Sequence, residues 1–278
     1  MAENQNDQSA NGGLHRFDVL DQVIGRAASA GIFLDVDGVL APIRPRPDET
    51  FVPEATRDLV RRLTERYRLV AAVSGRAAPD AAGLLGLDEV LVVGNHGMEL
   101  LLAGEHDYLL PPDVIERVQE ATAALELNSE LRALGVRIEN KTASVALHTR
   151  GVADEPRAWR AVLEAAQLQA EERDLVMLTG RKVVDLRPAD INKGTAVRRL
   201  FAERQLRAAV YIGDDRTDID AFRALEALRS SSEAYTVNVA VVSDESPEDL
   251  LQWADLEIAF DEVPELLAHL NDAPDARA

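Results

Sequence analysis

The stretch GIFLDVDGVLAP, residues 31–42, decides how the rest of the chain is read. Ile32, Phe33 and Leu34 make an apolar run short enough for a buried strand. It ends in Asp35 and Asp37, one residue apart, and Gly38 turns the chain at once. Two unpaired carboxylates at a buried strand end cost several kcal/mol, so a cation is expected to meet them.

Working outward, strand-like runs recur at Leu69–Val73, Val90–Val93, Ala208–Ile212 and Val237–Val242. Between Ile32–Leu34 and Leu69–Val73 lies a predicted helix over 53–67, with Pro53 at its first position and Ala55, Leu59, Leu63 and Tyr67 on one face. TDIDAFRALEAL reads as a second helix with Ile219, Phe222 and Leu225 or Ala221 inward. SPEDLLQWA reads as a third, capped by Ser246. Alternation of this kind predicts an α/β fold with a parallel, Rossmann-like core. Function in such sheets gathers at the carboxyl ends of the strands.

From 104 to 186 the pattern changes to helix, two strands, helix and two strands, which implies an antiparallel sheet. The chain therefore divides into a disordered tail over 1–14, a core over 15–103 and 187–278, and an inserted α+β unit over 104–186.

Composition narrows the function. The chain has 278 residues, 46% of them hydrophobic, enough to bury a sizeable core. It has no cysteine, which excludes thiolate metal sites and disulfides. A net charge of −19 argues against nucleic acid or an anionic membrane as partner. No run reaches the roughly 18 apolar residues of a membrane helix. The amino terminus lacks a signal pattern, so a cytoplasmic location is expected. A monomer is the default, because no heptad or exposed apolar helix stands out.

The strand ends carry the chemistry. The first supplies Asp35 and Asp37, the second Ser74-Gly75-Arg76, and the fourth Asp214-Asp215 followed by Thr217-Asp218. Asn192-Lys193-Gly194 falls at a helix start. An oxygen-rich, negative mouth suits Mg²⁺. Lysine at a helix start and a strand-end serine suit phosphate oxygens. One aspartate can attack phosphorus while its neighbour moves the proton, dividing one hard step into two.

Taken singly, each feature has a plainer origin. DxDG and GDD are turn chemistry, Ser74 a cap, Lys193 a solvated side chain, His96 a structural hydrogen-bonder, and Glu139 with Lys141 one face of a strand. Their order at successive strand ends favours an enzyme.

In that order, DVDGV, Ser74, Lys193 and GDDRTD resemble the motifs of haloacid dehalogenase-like phosphatases. LDVDGVLAPI, VAAVSGR, VVGNHGMEL, VRIENKTASVALHTR, VVDLRPADINKGTAVRRL and YIGDDRTDIDAF resemble, more closely, the trehalose-6-phosphate phosphatase family. The likeness runs from about Gly31 to Leu225. It implies a Mg²⁺-dependent phosphatase acting on trehalose 6-phosphate in the second step of trehalose biosynthesis. It also implies a haloacid dehalogenase-like core in which Asp35 is the nucleophile and Asp37 the general acid/base. Ser74 and Lys193 would bind the phosphoryl group. Metal would be held by Asp35, Asp37, Asp214 and Asp215. Arg76, Asn95 and His96, with Glu139, Lys141 and Arg150 from the inserted cap, would bind the sugar.

Val39, Ile219 and Asp185 depart from the family's usual Thr, Glu and Glu. Asp185 lies in the expected sugar pocket and leaves the sugar open. The alternatives are a phosphatase for sucrose phosphate, mannosyl-phosphoglycerate or a pseudo-disaccharide phosphate, a phosphomutase, or a non-catalytic partner of a glycosyltransferase.

Overall fold

In chain order the elements are α1 (Asp21–Ile24), β1 (Ala30–Leu34), α2 (Glu54–Arg66), β2 (Leu69–Val73), α3 (Ala78–Leu85) and β3 (Leu91–Gly94). β4 (Glu99–Leu102), β5 (Glu105–Tyr108), α4 (Pro112–Leu127), α5 (Ser129–Ala133), β6 (Arg137–Asn140), β7 (Val145–His148) and α6 (Glu155–Arg173) follow. The last are β8 (Leu175–Gly180), β9 (Val183–Pro188), α7 (Lys193–Glu203), β10 (Ala208–Gly213), α8 (Ile219–Ser231), β11 (Tyr235–Val242), α9 (Glu248–Leu251), β12 (Leu256–Ala259) and α10 (Val263–Asn271). This computed structural model describes residues 16–44, 49–180, 182–189, 191–231, 234–244 and 246–272. The tail expected over 1–14 lies outside them.

The chain forms two compact units. Of the described residues, one unit holds those up to Gly97, Leu101–Glu105 and those from Asn192 onward; the other holds Met98–Leu100 and those from His106 to Ile191.

The first unit is built on parallel strands in the order β12-β11-β10-β1-β2-β3. Every position of β1, β2 and β10 is buried, as expected of strands covered on both faces. β1 lies between β10 and β2, with Leu34 level with Ile212 and Ala72. Strand order reverses there, and the carboxyl ends of β1 and β10 open the crevice that such sheets use for ligands.

Packing corrects several sequence expectations. α2 begins at Glu54, one residue after Pro53, and buries Thr56, Leu59, Val60 and Leu63 while Ala55 is exposed. Its inward stripe therefore follows 3.6 residues per turn, and a strict four-residue spacing drifts off the core. Ser246 does not cap α9: Pro247 precedes the helix, and Ser246 Oγ accepts the Ser243 N–H at 2.9 Å. On α8 both Ala221 and Leu225 face inward with Ile219 and Phe222.

The second unit is an antiparallel sheet, β6-β7-β9-β8. Val145, Leu147, Val184 and Leu186 pack against Val118, Ala121 and Leu125 of α4 and Val162 and Ala166 of α6. Glu139, Ala146, Asp185 and Leu178 share a rung across all four strands, and the period of two turns them to the opposite face.

Candidate active site

Five loops of the first unit converge at the strand ends. After β1 the chain folds back tightly: Gly38 N–H donates to Ala41 O at 2.8 Å and Ala41 N–H to Val36 O at 2.8 Å. Gly38 sits at φ +82°, and a Cβ there would lie 2.0 Å from Asp214 Oδ2. Only glycine permits both the turn and the approach of the two carboxylate-bearing loops. Val39 is buried in the hydrophobic core beside Leu40, which accounts for an apolar residue there.

The loops after β2 and β3 lock together. Ser74 N–H donates to Val93 O at 2.8 Å, Asn95 N–H to Arg76 O at 2.7 Å, and His96 N–H to Ser74 O at 2.9 Å. Asn95 and His96 both take left-handed backbone, at φ 46° and 57°. Such conformations cost energy in non-glycine residues and cluster at functional sites. Lys193 opens α7 behind a capping box in which Asn192 accepts the Thr195 N–H. Gly194 lets α7 meet α8, since a Cβ there would sit 2.1 Å from Asp220 O.

A cavity of about 560 Å³ lies at this end of the unit, lined among others by Asp35, Asp37, Gly75, Arg76, His96, Lys193, Asp214 and Asp215. Ser74 and Asn95 are buried instead, and Ser74 Oγ accepts the Arg76 N–H at 3.1 Å.

Of the two strand-end aspartates, Asp35 has Lys193 as its cation. That lysine is 2% exposed, with Nζ 3.0 Å from Asp35 Oδ2 and 2.7 Å from Asp218 Oδ1. Asp218, fully buried, was not among the expected ligands, yet every one of its acceptor directions is used. Tyr211 OH donates to Oδ1 at 2.7 Å, and the Asp214 and Asp215 N–H groups each donate to Oδ2 at 3.0 Å. The sequence reading named Asp218 among the strand-end carboxylates without a role and left out Tyr211. Asp218 was visible in GDDRTD, but the buried hydroxyl of Tyr211 carries no sequence signal of its own.

The protonation of the cluster follows from these partners. Burial opposes the charge of Asp218, but the Lys193 ammonium and the donors around the carboxylate hold its pKa below the ordinary value. For Asp35, burial and the neighbouring Asp218 charge outweigh Lys193, so its pKa is raised well above the usual range. Burial and Asp218 push Asp214 up to about 7. Burial would lower the pKa of Lys193, yet Asp218 and Asp35 raise it, so it stays charged.

Oxygens of Asp35, Asp214 and Asp218 lie within 4.8 Å of one another. Asp214 Oδ1 is buried with no hydrogen-bond partner among the described residues. A hard divalent cation fits this donor set. Asp215 is exposed, and its Oδ1 accepts the Arg216 N–H at 2.6 Å, so in the cluster itself the third carboxylate is Asp218.

Asp37 lines the same cavity but has a different partner. Arg76 grips it with two hydrogen bonds of 2.7 Å, Nε to Oδ2 and Nη2 to Oδ1. Those bonds raise the pKa of Arg76.

In the second unit, Glu139 accepts from Arg137 at 3.1 Å and lies 2.9 Å from His148 Nε2. Burial would raise its pKa, but His148 and Lys141 together bring it below the ordinary value. Lys141 Nζ is 3.9 Å from Asp185 Oδ2, whose pKa burial raises. Arg150 lines a separate cavity of about 410 Å³ with Arg137, His148, Lys182 and Val183.

A parallel core with an Asp-x-Asp after β1, a lysine opening α7 and carboxylates after β10 defines the haloacid dehalogenase-like class. A haloacid dehalogenase-like hydrolase of Bacteroides thetaiotaomicron superposes with a TM-score of 0.60, covering 87% of this chain and 98% of its own at 15% identity. The trehalose-6-phosphate phosphatase of Aspergillus fumigatus superposes at 0.67, covering 92% and 97% at 22% identity. Within that class the chain belongs to the trehalose-phosphatase family, whose model matches residues 33–253. It is 34% identical over 225 residues to the probable trehalose-phosphate phosphatase 9 of Oryza sativa subsp. japonica. That match covers 70% of this chain but 59% of the relative, so the chain spans less than two thirds of its length. Among the described residues, no helix is long and apolar enough to cross a membrane.

Proposed function

We propose that this chain hydrolyses trehalose 6-phosphate to trehalose and phosphate through an aspartyl-phosphate on Asp35, the second step of trehalose biosynthesis. The observation that carries the reading is Asp35 at the end of β1, lining the cavity, with Lys193 at 3.0 Å and Asp37 two residues on. The substrate follows from the family and from the names of its relatives.

Asp35 attacks phosphorus, an O–P bond forms and the bond to the sugar oxygen breaks. Asp37 gives the leaving alkoxide its proton, then takes one from the water that attacks the aspartyl-phosphate. Phosphate leaves and the Asp35 carboxylate is restored. Lys193, fixed by Asp218, neutralises charge on the phosphoryl oxygens, and Ser74 helps to hold them. Arg76 keeps Asp37 oriented until the substrate enters.

Asp35 and Asp214 would hold Mg²⁺, with the backbone of Asp37 and the nearby Asp215 contributing, while Asp218, its acceptor directions already filled, would keep Lys193 in place. When bound, the ion offsets the repulsion between a carboxylate nucleophile and an anionic ester. Arg76, Asn95 and His96 are proposed as sugar-binding residues of the core. Glu139, Lys141, Arg150 and Asp185 are their counterparts on the second unit, which would act as the cap. The enzyme is proposed to be a cytoplasmic monomer, in keeping with its polar, acidic composition.

Phosphate release from a panel of sugar phosphates tests this, with Mg²⁺ and with chelator. Release should be metal-dependent, should favour trehalose 6-phosphate, and should fall more than about 10³-fold in Asp35→Asn. Preference for another disaccharide phosphate would keep the chemistry and overturn the substrate. No release from any ester would overturn both.

A further inference from the structure

The core cavity extends past the groups that the chemistry uses. Its 560 Å³ falls in the range of roughly 300–1,000 Å³ that accommodates a small organic molecule, and a phosphoryl group alone needs far less. Beyond Asp35, Asp37, Lys193 and Asp214, the lining includes Ile43, Ser243, Ser246 and Pro247, none of which the mechanism employs.

All four side chains are uncharged. Ile43 is 65% exposed, an aliphatic side chain that the core does not bury although it borders a cluster of carboxylates. Pro247 adds a second apolar edge, held in place as the residue before α9. Between β11 and α9 the chain is pinned by a reciprocal pair: Ser246 Oγ accepts the Ser243 N–H at 2.9 Å, and Ser246 N–H donates to Ser243 O at 3.2 Å. The two hydroxyl oxygens lie 3.4 Å apart. Two aliphatic and two hydroxyl-bearing side chains thus join a lining that also holds Asp35, Asp37, Arg76, Lys193, Asp214 and Asp215. That combination matches a sugar ring, which presents apolar C–H faces ringed by hydroxyls.

We propose that Ile43, with Ser243, Ser246 and Pro247, forms a specificity surface that receives the sugar of the leaving alcohol on the core side of the site. The proposal rests on the phosphatase reading above and adds residues that reading does not assign. Ile43 meets the ring through its aliphatic face, so its contribution appears as discrimination between leaving groups.

The test compares kcat/KM for trehalose 6-phosphate with kcat/KM for acetyl phosphate, whose leaving group is only acetate. Wild type, Ile43→Ala and Ile43→Leu are measured with saturating Mg²⁺, and thermal unfolding of each is read alongside. Because Ile43 is largely exposed, neither variant should lose its fold. The ratio of the two constants should fall about tenfold in Ile43→Ala, the scale of discrimination that a few methylenes supply, and recover in Ile43→Leu. A ratio unchanged in Ile43→Ala would overturn the proposal, as would an equal fall on both substrates. Wild type that releases phosphate from neither ester would overturn the phosphatase reading instead, and the sugar surface with it.

Discussion

Replacing Lys193 by methionine removes the ammonium that Asp35 and Asp218 share while keeping nearly the same volume. In the wild type Nζ lies 2.7 Å from Asp218 and 3.0 Å from Asp35, with Asp214 in the same cluster. Breaking a buried pair by removing one partner costs about 3–5 kcal/mol, because the remaining charge has lost its counter-ion. At roughly 2–4 °C per kcal/mol for a chain of this size, melting should fall by roughly 6–20 °C at pH 7.5 without metal. Asp218 fixes how that loss depends on pH. Its folded pKa lies below the ordinary value of 3.8, so its stabilisation is present above the unfolded pKa and is lost as pH falls through the folded one. Without Lys193 the carboxylate titrates higher, and acid relieves the unpaired charge by protonating it. The gap between wild type and variant should therefore narrow from pH 7.5 to pH 5. Thermal unfolding at both values, in chelator, measures it. A variant as stable as wild type at pH 7.5, or a gap that widens in acid, would refute the view that Lys193 is the counter-ion of this cluster.

Two further outcomes follow from the same geometry. Arg76→Gln removes the two hydrogen bonds that orient Asp37, and kcat should fall on the order of 10²-fold with a smaller change in KM; steady-state kinetics giving a raised KM alone would assign Arg76 to sugar binding only. Asp214, raised to about 7, contributes stability that is fully present below its unfolded value of 3.8 and is lost as pH rises through about 7 in the metal-free protein. Mg²⁺ competes with that proton, so the rise in melting temperature on adding Mg²⁺ should grow between pH 5.5 and 8; a pH-independent rise would show that Asp214 does not join the ion.

The buried strands were legible because they are apolar throughout and end in Gly, Ser or Asp; β2 has the bounds the sequence predicts. Other elements hid for physical reasons. Ala55 and Thr56 differ by one position, and only the true helical period tells which is buried. β4 and β5 are short and partly exposed, too mixed in pattern to stand out. α10 carries Val263, Leu266, Leu267 and Leu270 at helical spacing behind β12, a signal that the sequence reading passed over. Ser246 precedes a proline as a capping serine would, but its hydroxyl serves the backbone three residues earlier.

By itself the sequence determined the α/β class, the order of the motifs and the need for a cation at Asp35 and Asp37. Those follow from local patterns and from the cost of buried charge, which hold wherever the strand ends up. It could not determine which charges meet. Lys193 is 158 residues from Asp35 and 25 from Asp218, yet a single ammonium serves both. That Asp218 joins the cluster, that Arg76 takes both oxygens of Asp37, and that Tyr211 reaches Asp218 were decided by the register of β1 beside β10 and β2 and the packing of α7 on α8. Hydrogen bonds between distant residues depend on distances that only the folded backbone sets.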